Sequence, residues 1–214
     1  MGLCHDLPCV APEWAVLDAM AQAADDREAV VVMDMAAAAR ITSIRRVTAA
    51  LARSPARLGA QRCRWALEHA SERSLSPPEV RLRLVWILDA ELPPPLVNPR
   101  VLRRGGGFIG KPDLLGEDAG VAGEYDGALH RGRERHRRDT VRSEGFRDAR
   151  IEGFVVVAGD AVPVQVARMR RAHARALWVP AEERCWLVGP DRDANGAPVR
   201  SLDEELGELD PNLG

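Results

Sequence analysis

The sequence predicts an α/β protein, a small all-helical region followed by a mixed sheet flanked by helices. Three observations lead there. Between residues 12 and 70 apolar side chains recur at helical spacing with alanine-rich filling. Further on, the apolar residues come in short runs punctuated by glycine, at 108–115, 120–125 and 151–158, and these are strand lengths. Helical patterns at 76–91 and 164–177 bracket the runs, so helices lie beside a sheet as a layered core requires.

Within the first region, the stretch Glu13–Ala24 sets Trp14, Leu17 and Met20 at helical spacing. A second helix is expected from Arg27 to Arg40, through Val30, Val31, Met33 and Asp34. The third runs from Thr42 to Arg53 and stops before Pro55, and the fourth from Leu58 to Glu72. Four short helices with tight connections predict a small bundle that spaces or orients the α/β region. The helix at 76–91 opens on Ser76 as N-cap, Pro77 at the first helical position and Glu79 three residues after the cap. That is a capping-box sequence, a structural role for Glu79 that needs no chemistry. Its apolar stripe is Val80, Leu84, Ile87 and Leu88.

Leu92-Pro93-Pro94-Pro95 ends that helix, and an extended segment runs from Leu96 to Leu102. Gly105-Gly106-Gly107 reads as a hairpin turn, since it lacks the lysine and helix of a phosphate-binding loop. Phe108–Leu115 and Gly120–Tyr125 are then expected as two strands joined by the turn Gly116-Glu117-Asp118-Ala119-Gly120. Ile151–Ala158 is a buried strand, and Val164–Leu177 a helix with Arg168, Arg171 and Arg175 on one side. The organisation expected is a helical domain at 1–73, an α/β domain at 74–178 and an acidic, flexible tail at 179–214 in which Trp178 and Trp186 pack irregularly.

The chain has 214 residues, 46% hydrophobic and 29% charged, which is ordinary for a soluble globular protein. It contains no apolar run of membrane-spanning length and no basic-then-apolar leader, so the expectation is a cytoplasmic protein without a membrane partner. Cys4, Cys9, Cys63 and Cys185 fit neither a paired metal motif nor a disulfide framework, and read as free thiols. Net charge is −2 but unevenly spread. Residues 100–175 carry sixteen basic and eleven acidic side chains, residues 176–214 three basic and nine acidic. A basic middle suits a nucleic acid, whose phosphates supply most sequence-independent affinity.

The most informative stretch is Lys111-Pro112-Asp113 with Gly123-Glu124-Tyr125-Asp126-Gly127 and His130 beyond it. Residues two apart on a strand share a face, so Glu124 and Asp126 point together. The turn brings Asp113 back opposite Glu124. Like charges across a ladder repel, and a divalent cation relieves that repulsion. The set therefore reads as a metal-dependent phosphodiesterase site. Lys111, the only lysine, would share a strand face with Asp113. Arg131, Arg133, Arg138 and Arg142 lie in a segment where nearly every other residue is basic, and are the candidates for contacts to DNA phosphates.

Asp113 and Glu124, with the literal Pro112-Asp113, resemble the PD-(D/E)xK nuclease superfamily. The sequence Glu124-Tyr125-Asp126-Gly127-Ala128-Leu129-His130, with Arg138-Asp139 and Arg142 after it, is most similar to the branch around very-short-patch-repair endonucleases. The match covers residues 8–175 and resembles that domain in actinobacterial abortive-infection, type IV antitoxin-like proteins. The resemblance implies a restriction-endonuclease-like core, with Asp113 and Glu124 as ligands to Mg2+ or Mn2+. It also implies Glu79 approaching the metal, and a chain that starts inside a helical linker domain without the usual winged helix. The superfamily lysine would stand two residues past Glu124, where this chain has Asp126. His130 is the candidate replacement, because imidazole exchanges protons near neutral pH, with Lys111 second. Asp126 would bind metal or orient His130.

Three functions stay open: a metal-dependent endonuclease that hydrolyses, by nicking, DNA phosphodiester bonds in defence or repair; a catalytically inactive DNA-binding regulator of the antitoxin type; and a protein-interaction remnant. A homodimer is left open, and no small-molecule cofactor is expected.

Overall fold

The computed structural model describes residues 2–4, 7–127, 142–192, 197 and 199–209. The chain begins with a hairpin, β1 (Gly2–Cys4) antiparallel to β2 (Leu7–Cys9). Four helices come next: α1 (Pro12–Ala21), α2 (Asp26–Ala38), α3 (Ile44–Arg53) and α4 (Ala60–His69). After them are α5 (Pro77–Leu84), β3 (Leu96–Val97), β4 (Arg100–Arg103), β5 (Phe108–Gly110), β6 (Leu114–Gly116) and β7 (Val121–Asp126). The remainder is α6 (142–148), β8 (Glu152–Val157), α7 (Val162–Arg175), β9 (Trp186–Gly189) and α8 (Leu202–Leu209). None of the described helices is long and apolar enough to cross a membrane. The chain divides into two units, Met1–Arg81 with Val199–Gly214, and Leu82–Pro198.

In the helical unit, local chemistry sets the helix starts. Asp25 caps α2 by accepting the Glu28 N–H at 2.8 Å, and Ser43 caps α3 by accepting the Arg46 N–H at 3.1 Å. Gly59 caps α4 at φ 77°, and a Cβ there would stand 2.5 Å from the Ala21 Cβ, so only glycine lets α4 begin against α1. The core is Leu17, Met20, Val30, Met33, Val47, Ala50, Cys63 and Ala66, all fully buried. One carboxylate is buried with them. Asp34 accepts the Ser71 N–H at 2.7 Å and the Ser74 hydroxyl at 2.8 Å, which ties the segment after α4 to α2.

The α/β unit holds two sheets, of order β3-β6-β7-β8 and β5-β4-β9. In the first, β3, β6 and β7 are antiparallel, and β7 and β8 are parallel, with α6 in the connection between them. One face carries Leu114, Val121, Phe154 and Val156 against Trp86 of α5's continuation and Met169 and Ala172 of α7. On the opposite face Leu115 and Ala122 meet Phe146 and Ala149, which adjoin Val101, Ile109 and Trp186 of the second sheet. Gly123 faces Leu114 in the register of β6 and β7, and a Cβ there would come within 2.3 Å of the Phe154 ring. Glycine is what lets that ring lie flat under β7.

The structure differs from the sequence reading in several places, among them the hairpin at 2–9 and the extended segment 96–102, which is split into β3 and β4 of different sheets. The run 108–115 is not one strand: β5 and β6 belong to different sheets, separated at Lys111-Pro112-Asp113. Proline has no N–H to give a ladder, and there the chain changes sheet. The helix from Pro77 ends as a π-turn, Val85–Asp89, in which the Ala90 N–H reaches the Val85 carbonyl at 2.8 Å. The Trp86 indole N–H then bonds the Pro93 carbonyl at 2.7 Å. Finally, the stretch expected as a flexible tail contributes β9, paired with all of β4, and α8. Trp186 is buried in the core, whereas Trp178 is about half exposed and edge-on to His173.

Asp34→Ala removes the acceptor of two groups in the helical unit. We expect a loss of about 2–4 kcal/mol in urea unfolding, and a loss below about 1 kcal/mol would show that water replaces the carboxylate.

Candidate active site at the ends of β6 and β7

The acidic cluster is built by strand pairing. Leu114 faces Gly123, Leu115 faces Ala122 and Gly116 faces Val121. The turn closes through the Gly120 N–H on the Gly116 carbonyl at 2.9 Å, with Gly120 at φ 70°. The pairing ends there, and Asp113 and Glu124 are the next residue on each side. Two hydrogen bonds hold Asp113 just outside β6. The Asn98 N–H reaches the Asp113 carbonyl at 2.9 Å, and the Tyr125 N–H reaches the Asp113 carboxylate Oδ2 at 2.7 Å. Asp113 is thereby tied through its backbone to the end of β3 and through its side chain to β7.

Alternation fixes the face. Leu115 and Ala122 lie on the Phe146 side of the sheet, so Glu124 and Asp126, two and four residues beyond Ala122 on β7, belong to the same side, while Asp113 precedes β6. The ion pair made by Glu124 agrees: Arg142, the first described residue of α6, donates from Nη2 to Glu124 Oε2 at 2.8 Å. Both are partly exposed, with 34% of the Arg142 side chain and 23% of the Glu124 side chain accessible. Asp126 ends β7, half buried, and its carbonyl accepts the Ala158 N–H at 3.0 Å, which continues the parallel pairing with β8.

The remaining candidates are scattered. Glu79 is engaged at the start of α5, where its carboxylate accepts the Ser76 hydroxyl at 2.8 Å and the Leu75 N–H at 2.9 Å. Glu79 thus helps to cap α5 as the sequence assigns, with the Leu75 N–H in place of the Ser76 N–H of a capping box, and it belongs to the helical unit. Lys111 is exposed in the break between β5 and β6, so the expectation that it shares a strand face with Asp113 does not hold. The strand on which that argument rested ends at Gly110. His130, Arg131, Arg133 and Arg138 lie outside the described residues. Arg142 is within them, and its guanidinium lies on a carboxylate of the cluster.

Asp113 and Glu124 offer hard oxygen donors on neighbouring strands. Among the described residues no three His, Cys, Asp or Glu side chains gather into a metal-holding group. Two features escaped the sequence reading. One is the Arg142–Glu124 pair, separated by 18 residues. The other is Arg83, 4% exposed in α5. Its signal was available: an arginine inside the apolar run 82–88, at a position where a surface helix would keep its stripe.

Gly123→Ala drives a methyl group into the Phe154 ring beside Glu124. We expect about 1–3 kcal/mol of destabilisation by chemical unfolding, and full wild-type stability would mean that Phe154 swings aside. The chain matches no protein-family model, no curated protein and no solved structure.

Proposed function

We propose that the acidic end of β6 and β7 is the hydrolytic centre of a Mg2+- or Mn2+-dependent endonuclease that nicks DNA, in defence or repair. The observation that carries this reading is the pairing of β6 with β7, which ends at Leu114–Gly123 with Asp113 and Glu124 the next residue on each side, together with the bond from the Tyr125 N–H to the Asp113 carboxylate. The resemblance to the very-short-patch-repair branch supports it. Two carboxylates on adjacent strands suit Mg2+, which takes one or two such ligands and completes its shell with water and substrate phosphate. The bound ion would lower the pKa of a water molecule and offset charge on the phosphate. Asp113, fixed by the Tyr125 N–H, and Glu124 would hold it. With Asp126 where the superfamily has lysine, His130 is the group assigned to move the proton. Arg131, Arg133, Arg138 and Arg142 would bind phosphates in bidentate fashion.

A second reading is favoured by a specific observation. Glu124 is engaged by Arg142, as suits a DNA-binding regulator in which the cluster no longer cuts. The two separate in one assay. Supercoiled plasmid incubated with Mg2+ or Mn2+ should be nicked by the wild type, and Asp113→Ala or Glu124→Gln should slow this by about two orders of magnitude or more, the scale for loss of a charge-stabilising group. Absence of metal-dependent nicking, or nicking that survives both substitutions, refutes the enzyme. DNA binding that persists in Asp113→Ala and weakens with salt is the regulator's signature.

Arg142→Ala tests the contest for Glu124. Removing the guanidinium should tighten Mn2+ binding about threefold, in keeping with a partly exposed ion pair, while weakening DNA binding. Unchanged metal affinity would place the ion away from Glu124.

A further inference from the structure

The helical unit contains a second charged constellation, with an anion seated in it. Asp203 of α8 is held by three groups at the start of α3. The Ser43 hydroxyl donates to Oδ1 at 2.7 Å, Arg46 Nε donates to the same oxygen at 3.2 Å, and Arg45 Nε donates to Oδ2. Two residues along α8, Glu205 pairs with Arg40 at 2.5 Å. Burial tends to raise the Asp203 carboxyl, but the bonds from Ser43, Arg45 and Arg46 outweigh it and hold the group below its usual range.

We propose that Arg40, Arg45, Arg46 and Ser43 form a phosphate-backbone site for nucleic acid, and that the acidic helix α8 occupies it in cis as a displaceable plug. Carboxylate and phosphodiester offer a guanidinium the same feature, two oxygens sharing negative charge. The site adds the hydroxyl of Ser43 at the start of a ten-residue helix, a donor that suits phosphate beside the guanidiniums. The exposed side of α3 carries Arg45, Thr48, Ala49, Ala52 and Arg53. Small side chains between arginines let a sugar-phosphate backbone approach closely, whereas a membrane-binding face would need large apolar groups.

The plug is built to leave. Its helix has eight residues, too few to be stable alone, and Leu206 is its one buried apolar side chain among those described. Its hold is therefore mainly electrostatic, and Arg45 and Arg40 remain 80% and 62% exposed in the pair. Residues 199–214 carry one arginine against five carboxylates, so a released segment would be repelled by DNA and would not compete for the phosphate elsewhere. The choice of nucleic acid as partner rests on the proposed DNA substrate; the site itself does not.

The test uses the full chain in EDTA, so that cleavage plays no part, and a short labelled duplex read by fluorescence anisotropy. Asp203→Asn with Glu205→Gln should tighten binding about tenfold and steepen its salt dependence, because more phosphates are contacted. Adding Arg45→Ala and Arg46→Ala should abolish the gain. Unchanged affinity, or a gain that survives loss of both arginines, overturns the proposal, as does a gain seen with anionic vesicles and not with the duplex. Hydrogen exchange on the wild type keeps the question open to refutation if the variants misfold. Saturating duplex should speed exchange in α8, and unchanged α8 protection overturns the plug. Nicking lost on Asp113→Ala with no α8 effect would sink only this inference, and the reverse pattern only the nuclease.

Discussion

The pairing of β6 with β7 is the constraint on which the acidic cluster depends. Three residue pairs, Leu114–Gly123, Leu115–Ala122 and Gly116–Val121, fix it. A strand has a side-chain period of two, so a slip by one residue would carry every side chain of β7 to the other face. Such a slip would put Ala122 where the Phe154 ring lies and move Glu124 to the side of α7. Packing forbids it from both directions. Val121 and Leu114 fill one core and Ala122 and Leu115 the other, and a side chain at the position of Gly123 collides with Phe154. The hydrophobic pattern thus holds the carboxylates in place although none of them contributes apolar area.

That dependence explains what the sequence made legible. The turn at 116–120 and the alternation in β7 are local signals, and together they fold β6 back along β7 without tertiary information. The capping of α5 by Ser76 and Glu79 is equally local. The break at Pro112 was written in the sequence as well, but the apolar residues on both sides suggested continuity, and only the existence of two sheets shows that the chain changes partner there. The placement of Asp203 on Ser43 was beyond reach, since 160 residues separate them and no local propensity selects a partner at that range. An acidic C-terminal stretch reads as solvated by composition, and here its order comes from arginines at the far end of the sequence.

The arginines also show why a count of charges overstates a surface. Residues 100–175 are basic in sum, yet several of their guanidiniums serve the fold. Arg168 pairs with Asp160 and donates to the Val155 carbonyl at 2.7 Å on edge strand β8. Arg170 caps the end of the π-turn through the Ala90 and Asp89 carbonyls, each at 3.2 Å. Arg175 joins α7 to Glu152 of β8. In this way α7 spends much of its basic side on its own unit. The case for phosphate contact in the α/β unit accordingly rests on Arg131, Arg133, Arg138 and Arg142 rather than on the net charge of the region.

Magnitudes decide how to read the Arg142–Glu124 pair. An ion pair with both partners partly exposed contributes about 0–1 kcal/mol, because solvent screens it and two long side chains lose freedom. A dication held by two carboxylates gains from both of them and from its own doubled charge, so a contest for Glu124 favours the ion on Coulombic grounds. The guanidinium in the structure is therefore compatible with a hydrolytic centre: it offsets the charge of Glu124 that an ion would otherwise offset. On the endonuclease reading it then has somewhere to go. Arg142 lies in α6 beside Glu124, and an arginine displaced from a carboxylate there meets a substrate phosphate of the same charge and similar geometry. A single side chain can hold Glu124 before an ion arrives and bind the substrate afterwards, provided that the ion pair is as weak as its exposure implies.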